Sequence, residues 1–157
     1  MGGNQQIRTQ FGVAHAVAIA REAHEGQVDK AGRPYIDHPL RVMAGVSGAE
    51  EQMAAVLHDV IEDTSVTADD LVASGCPPQV VSAVIALSKL PGEQPEHYLR
   101  RVATDRLALA VKRADIADNT NPARLSLLEP SVRDRLRAKY AKASRLLDEY
   151  ERELAME

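Results

Sequence analysis

Cysteine is almost missing from this sequence. Cys76 is the only one in 157 residues, which excludes an intrachain disulfide and any zinc site built on several thiolates. Tryptophan is absent, Phe11 is the single phenylalanine, and with four tyrosines the aromatic share is only 3%. A core must then be built from Ala, Val, Leu and Ile, which suits close-packed helices better than a sandwich of aromatic and β-branched strands. No apolar run approaches the roughly 18 residues that a membrane span requires. The first eight residues are polar and lack the apolar stretch of a secretory signal, and Gln6 stands where a myristoylation signal needs Ser or Thr. Excess positive charge is lacking too: the net charge is −4, which argues against a protein that coats DNA or RNA. The resulting expectation is one soluble, cytoplasmic domain over residues 1–157, with 1–8 flexible, no membrane, DNA or RNA partner, and a monomeric or homodimeric state.

What is present is helical periodicity nearly throughout, without repeats or low-complexity tracts. A first helix is expected from Thr9 or Gln10 to about Glu25, ended by Gly26. A loop with Gly32 and Pro34 follows, then a short helix capped by Asp37 or His38 with Pro39 in its first turn. The third helix spans about Ala49 to Asp63. Thr67 and Asp70 form a capping box for the fourth, stopped by Gly75. Pro77-Pro78 and Pro95 open the fifth and sixth, Asp105 caps a seventh to about Asp118, and Ser131 caps a long last helix to about Leu154. The fold class is all-α, with seven or eight helices.

Charges interrupt this apolar pattern in three places. Met53-Ala54-Ala55-Val56-Leu57 is apolar on every side and belongs in a core, yet His58, Asp59, Glu62 and Asp63 follow directly. Residues three and four apart share a helix face, so three carboxylates crowd one turn of a largely buried helix. Either some of them take up protons or a cation sits among them. The bland alternative is a helix end that reaches solvent, although acids at a C-terminus oppose the helix dipole. In the seventh helix, Leu107-Ala108-Leu109-Ala110-Val111 leads into Lys112, Arg113, Asp115, Asp118 and Asn119, where Asp115 and Asn119 share a face. An internal ion pair with Lys112-Arg113 would explain this equally well. His38 stands between Pro34 and Pro39, with its ring direction fixed by the helix start. His15, His24 and His97 read as structural or solvated, and Arg133, Arg135, Arg137, Lys139 and Lys142 as a solvated face.

Taken in order, His38, His58-Asp59 and Asp115 make the H…HD…D pattern of the HD superfamily of phosphohydrolases, a mixed N/O donor set suited to a divalent ion such as Mn²⁺. The stretches Ala23-His24-Glu25-Gly26-Gln27, Lys30 to Pro39, Leu57 to Thr64 and Val111 to Asp115 resemble the hydrolase domain of RelA/SpoT-type alarmone enzymes, and the chain as a whole resembles the stand-alone small alarmone hydrolases. That resemblance implies an all-helical fold and Mn²⁺-assisted removal of the 3′-pyrophosphate from (p)ppGpp. It implies His38, His58, Asp59 and Asp115 as metal ligands, with Glu62 and Asp63 as the acids that orient and activate the attacking water. Lys30, Asn119 and Lys89 fall at substrate-contacting positions. Lys30, Lys112, Arg113 and Arg124 are the cations available to offset phosphate charge, Arg124 from a loop that differs from the usual continuation.

The resemblance also has a departure. Asp29 occupies the place where these enzymes commonly carry an Arg that packs on the guanine ring, and an acid cannot make that contact. The reading therefore leaves three functions open: (p)ppGpp hydrolysis; hydrolysis of another phosphorylated nucleotide, such as an adenine alarmone or the 2′-phosphate of NADPH; and nucleotide sensing without turnover. Mn²⁺ is the expected ion, with other divalent transition metals compatible with the same donors.

Overall fold

The computed structural model describes residues 10–157. Among them the chain is helical, apart from turns and one antiparallel β-bridge between Val28 and Pro34. In order the helices are α1 (Val13–Ala23), α2 (Asp37–Ala44), α3 (Ala49–Leu57), α4 (Val60–Asp63), α5 (Ala68–Ala73), α6 (Pro78–Ala86), α7 (Pro95–Thr104), α8 (Arg106–Asn119), α9 (Pro122–Leu125) and α10 (Pro130–Ala155). All eight expected segments are helical. The third divides into α3 and α4, and α9 is an additional single turn whose N-cap, Asn121, accepts the Ala123 N–H.

Several boundaries move for local reasons. α1 starts at Val13 behind Gly12 rather than at Gln10, and the Gly12 N–H donates to His15 Nδ1. The alternative start at Thr9 and the expected flexibility of residues 1–8 lie outside the described residues. α1 ends at Ala23, before Gly26 turns the chain at φ +81°. Neither Asp37 nor His38 caps α2, because Ile36 is the N-cap and both side chains lie within the first turn. α10 begins at Pro130 rather than after Ser131, since a proline at the first helical position brings the right φ and no N–H to satisfy. The Thr67–Asp70 capping box forms reciprocally at 3.1 and 2.9 Å, and Asp105 caps α8 through the Ala108 N–H at 3.0 Å.

α3 is the centre of the bundle. Met53 to Leu57 are buried consecutively, which only a helix apolar on all sides can satisfy, and α1, α2, α6 and α8 surround it. Its end is abrupt. The Ala55 carbonyl accepts both the His58 N–H at 3.3 Å and the His58 ring Nδ1 at 2.6 Å, so the last turn tightens, and Asp59 (φ −103°, ψ −3°) leaves the helical path before α4 begins. This break aims His58 and Asp59 away from the apolar axis. α10 lies across α7 and α8, anchored by the buried Leu147 and Tyr150. Its N-terminal half carries Leu136, Lys139 and Tyr140 to the mouth of the bundle.

Leu147 is completely enclosed, so Leu147→Ala is expected to destabilise the fold by about 3 kcal/mol through lost burial and the cavity it leaves. The check is a urea unfolding midpoint at constant m-value.

Candidate metal centre

Three donors from three elements meet in the interior: His38 from the first turn of α2, His58 from the α3–α4 break and Asp115 from α8, their ligand atoms all within 4.8 Å of one another. His38 Nε2 is 2.9 Å from Asp115 Oδ1, and His58 Nε2 is 3.5 Å from the same oxygen. Asp59 joins them with Oδ2 3.0 Å from His58 Nε2. Asp59 also gathers with Glu62 and Asp63 into a second cluster at the solvent side, where Glu62 and Asp63 are exposed. The two carboxyl-bearing groups found in the sequence are thus one continuous site.

The hydrogen bonds determine which ring atoms face inward. A backbone carbonyl can only accept, so His58 Nδ1 carries the proton donated to Ala55, and its Nε2 presents a lone pair. That Nε2 is buried, has no hydrogen-bond partner, and points at carboxylate oxygens of Asp59 and Asp115. His38 Nδ1 pairs with Asp118 Oδ2 at 2.6 Å, which leaves Nε2 toward Asp115. Lone pairs and carboxylate oxygens directed at one another require a positive charge between them, supplied by protons on the rings or by a cation. A mixed imidazole–carboxylate set, with each ring's other nitrogen held by a carbonyl or a carboxylate, fits a divalent cation.

The charge states without a cation follow from the same geometry. Burial pulls His58 down, but the carboxylates of Asp59 and Asp115 outweigh it and hold the ring well above 6.5. His38 is likewise lowered by burial and raised further by its bonds to Asp115 and Asp118, ending above its usual value. Burial works to raise Asp115, yet Lys112, His38 and His58 together hold it well below the ordinary carboxylate range. Asp59 is lowered for the same reason, burial being outweighed by His58. For Asp63, burial with the neighbouring Asp59 and Glu62 charges outweighs the opposing pull of His58 and pushes it up to about 6.

Around this centre opens a cleft of about 420 Å³. Lys30, Asn119 and Arg124 line it, and Asn119 Nδ2 donates to Asp115 Oδ1 at 3.0 Å. Lys89 does not line it. Its backbone N–H donates to Glu62 Oε1 at 2.7 Å, and its charge is felt by Lys139 on the cleft wall. Of the α8 cations, Lys112 pairs with Asp115 at 3.0 Å, so the internal ion pair weighed from the sequence exists alongside the donor cluster. Arg113 turns away to Asp148 and Glu151 on α10 and is no part of the cleft.

Asp29 is not a free acid facing ligand. Its Oδ1 accepts the Ala31 and Arg33 N–H groups, both at 2.9 Å, and its Oδ2 lies 3.8 Å from the Arg124 guanidinium. Sequence reasoning gave no role to Asp118, which binds His38, Arg41 at 2.9 Å and Arg124 at 2.6 Å, nor to Tyr35, whose hydroxyl donates to Asp59. The available signal for Asp118 was its position three residues after Asp115. Lys139, expected on a solvated face, lines the cleft with Tyr140, and burial together with the charges of Lys112, Lys30 and Lys89 lowers its pKa.

With this geometry in view, similarity to known proteins is informative. Residues 16–121 match the model of the HD domain. The chain belongs to the HD-domain family. That match spans all the donors described above and ends before α9 and α10. The chain is 35% identical over 130 residues, 75% of its length, to a guanosine-3′,5′-bis(diphosphate) 3′-pyrophosphohydrolase of Haemophilus influenzae. It is also 35% identical over 133 residues to the bifunctional (p)ppGpp synthase/hydrolase SpoT of Escherichia coli. Both alignments cover only 19% of the relative, so this HD domain corresponds to about a fifth of those longer proteins. A solved structure of a metazoan SpoT ortholog, described as hydrolysing ppGpp, superposes with a TM-score of 0.73 over 86% of this chain and 84% of its own, at 23% identity, and so shares the fold. Among the described residues no helix is long and apolar enough to cross a membrane.

The pKa shifts carry a sign for stability. The two histidines hold protons more tightly folded than unfolded, so their contribution is complete below about pH 6.5 and is lost as the pH rises through their folded values. Asp63 acts in the same direction between its ordinary 3.8 and about 6. Asp59 and Asp115 act oppositely: their contribution is present above the ordinary carboxylate value and lost as the pH falls through their lowered values. In chelator, the melting temperature is therefore expected to fall as the pH is raised from about 6 to about 9. A flat or rising curve would contradict the ring protonation argued here.

Proposed function

We propose that this HD domain is a metal-dependent phosphohydrolase that removes the 3′-pyrophosphate of (p)ppGpp, yielding GDP or GTP and pyrophosphate. The observation that carries the reading is the buried, unpartnered His58 Nε2 aimed at Asp59 and Asp115, two carboxylates that line a lysine-walled cleft. The names of the bacterial relatives, 35% identical through this region, support the same substrate.

In this reading His38, His58, Asp59 and Asp115 hold one divalent ion, Mn²⁺. When bound, that ion supplies Lewis-acid polarisation of the phosphoryl group and makes water a competent nucleophile near neutral pH. Glu62 and Asp63, exposed at the mouth beside Asp59, orient the water and take its proton. The water oxygen bonds to the phosphorus attached to O3′ as the O3′–P bond breaks; the proton taken from water is returned to O3′, which leaves as the nucleotide's 3′-hydroxyl, and the phosphoryl side is released as pyrophosphate. Lys30, Lys112 and Lys139 face the cleft where the phosphoryl oxygens gain charge, with Arg124 and Asn119 also lining it and the Lys89 backbone bound to Glu62. Tyr35 and Asp118 hold Asp59 and His38 in place. Asp29 lines the cleft with its charge held by its own loop and Arg124, so it does not stack on a guanine ring, and the reading for guanine rests on the relatives rather than on this position.

The test is incubation with ppGpp, ppApp and NADPH, with and without Mn²⁺, separating pyrophosphate from orthophosphate. Mn²⁺-dependent pyrophosphate release from ppGpp is expected; orthophosphate from NADPH alone would replace the reading. His58→Ala or Asp59→Ala is expected to abolish metal retention and turnover together. Glu62→Gln is expected to keep the metal and lower the rate by roughly a hundredfold or more.

A further inference from the structure

We infer that Arg101, outside the cleft, is a positioning residue for Glu62 that acts through the backbone of Ser88 and Lys89. The inference rests on the proposed role of Glu62 as a proton acceptor. Glu62 projects exposed from a four-residue helix, so α4 alone does not determine where its carboxylate stands. Its Oε1 is held by the Lys89 N–H at 2.7 Å, from a residue 27 positions away. Lys89 lies in the non-helical connection between α6 and α7, and that connection has to be ordered by something else.

Arg101 reaches back from α7 to do this. Its NH2 donates to the Ser88 carbonyl at 3.1 Å, and its NH1 lies 3.4 and 3.3 Å from the Ile85 and Ala86 carbonyls at the C-terminus of α6. Nε and NH2 engage both Glu93 oxygens at 3.0 and 2.7 Å. The Ser88 carbonyl and the Lys89 N–H belong to one planar trans peptide and point in opposite directions. Fixing the first by a guanidinium therefore fixes the aim of the second at Glu62. Glu93 completes the clamp by accepting the Leu90 N–H at 3.2 Å, and the bonds from Arg101 hold its enclosed carboxyl down to about 2. The Tyr98 hydroxyl secures the neighbouring Leu87 carbonyl at 2.8 Å. A planar fork is needed here, since a single ammonium cannot reach Ser88 and both Glu93 oxygens together.

The test uses the full chain with Arg101→Ala, Arg101→Lys and the control Arg100→Ala, whose native side chain is exposed and pairs with Glu153. Amide exchange at Lys89 is followed by NMR beside steady-state kinetics on ppGpp with Mn²⁺. Both Arg101 variants are expected to exchange the Lys89 amide at least about tenfold faster and to lose about tenfold in kcat, with KM and bound Mn²⁺ within about twofold of wild type. Arg100→Ala is expected to match wild type. If Arg101→Ala fails to fold, Arg101→Lys decides. Unchanged Lys89 exchange or unchanged kcat in a folded variant overturns the inference, as does an equal loss in metal retention and KM. A wild-type protein inert toward ppGpp would refute the proposed function alone, because Lys89 exchange reads the clamp without turnover.

Discussion

Acceptors aimed at acceptors are the constraint on which the rest of this structure turns. His58 Nε2, made a lone pair by the bond from Nδ1 to Ala55, faces carboxylate oxygens of Asp59 and Asp115 inside a bundle of aliphatic side chains. In water such groups would be separated by solvent. Buried, they remain together only with positive charge among them, because an unpaired carboxylate in an apolar interior is strongly disfavoured. Protons on the rings meet the requirement in the metal-free protein, and a divalent ion would meet it while releasing them. The break between α3 and α4, the Asp118 bond to His38 and the Lys112 bond to Asp115 all serve this one meeting point.

Charge in the cleft is arranged in layers. His38, Asp59 and Asp115 form the floor with His58 buried behind them, the exposed acids of α4 stand at one lip, and Lys30, Lys112 and Lys139 occupy the walls. A polyphosphate would find cations on its flanks and an acidic, cation-seeking floor beneath its reacting phosphorus. Part of this wall comes from α10, beyond the residues matched by the HD domain, so the long last helix shapes the cleft as well as bracing the bundle. Asp29 shows how misleading a charge can be when taken alone: two backbone N–H groups and a nearby guanidinium absorb it locally.

The legible features were those that depend on short-range pattern. Apolar spacing located eight helical segments, the Thr67–Asp70 box and the Asp105 cap formed as expected, and the H…HD…D order singled out side chains that do converge. Helix starts were less legible because Pro130 and Gly12 compete with better-known caps. The division at His58-Asp59 was invisible for a specific reason: a His ring that bonds the carbonyl three residues back breaks the helix without any Gly or Pro to announce it.

By itself the sequence determined an all-helical chain with an aliphatic core and two imidazoles and two carboxylates in apolar surroundings, since periodicity and residue chemistry are local properties. Only the tertiary structure decided that Arg113 turns outward to α10, that Lys139 turns inward, that Asp118 supports His38, and that Glu62 depends on a peptide group 27 residues away. Those outcomes depend on which helices cross and at what rotation, a quantity set by packing the whole core at once and carried by no single stretch of the chain.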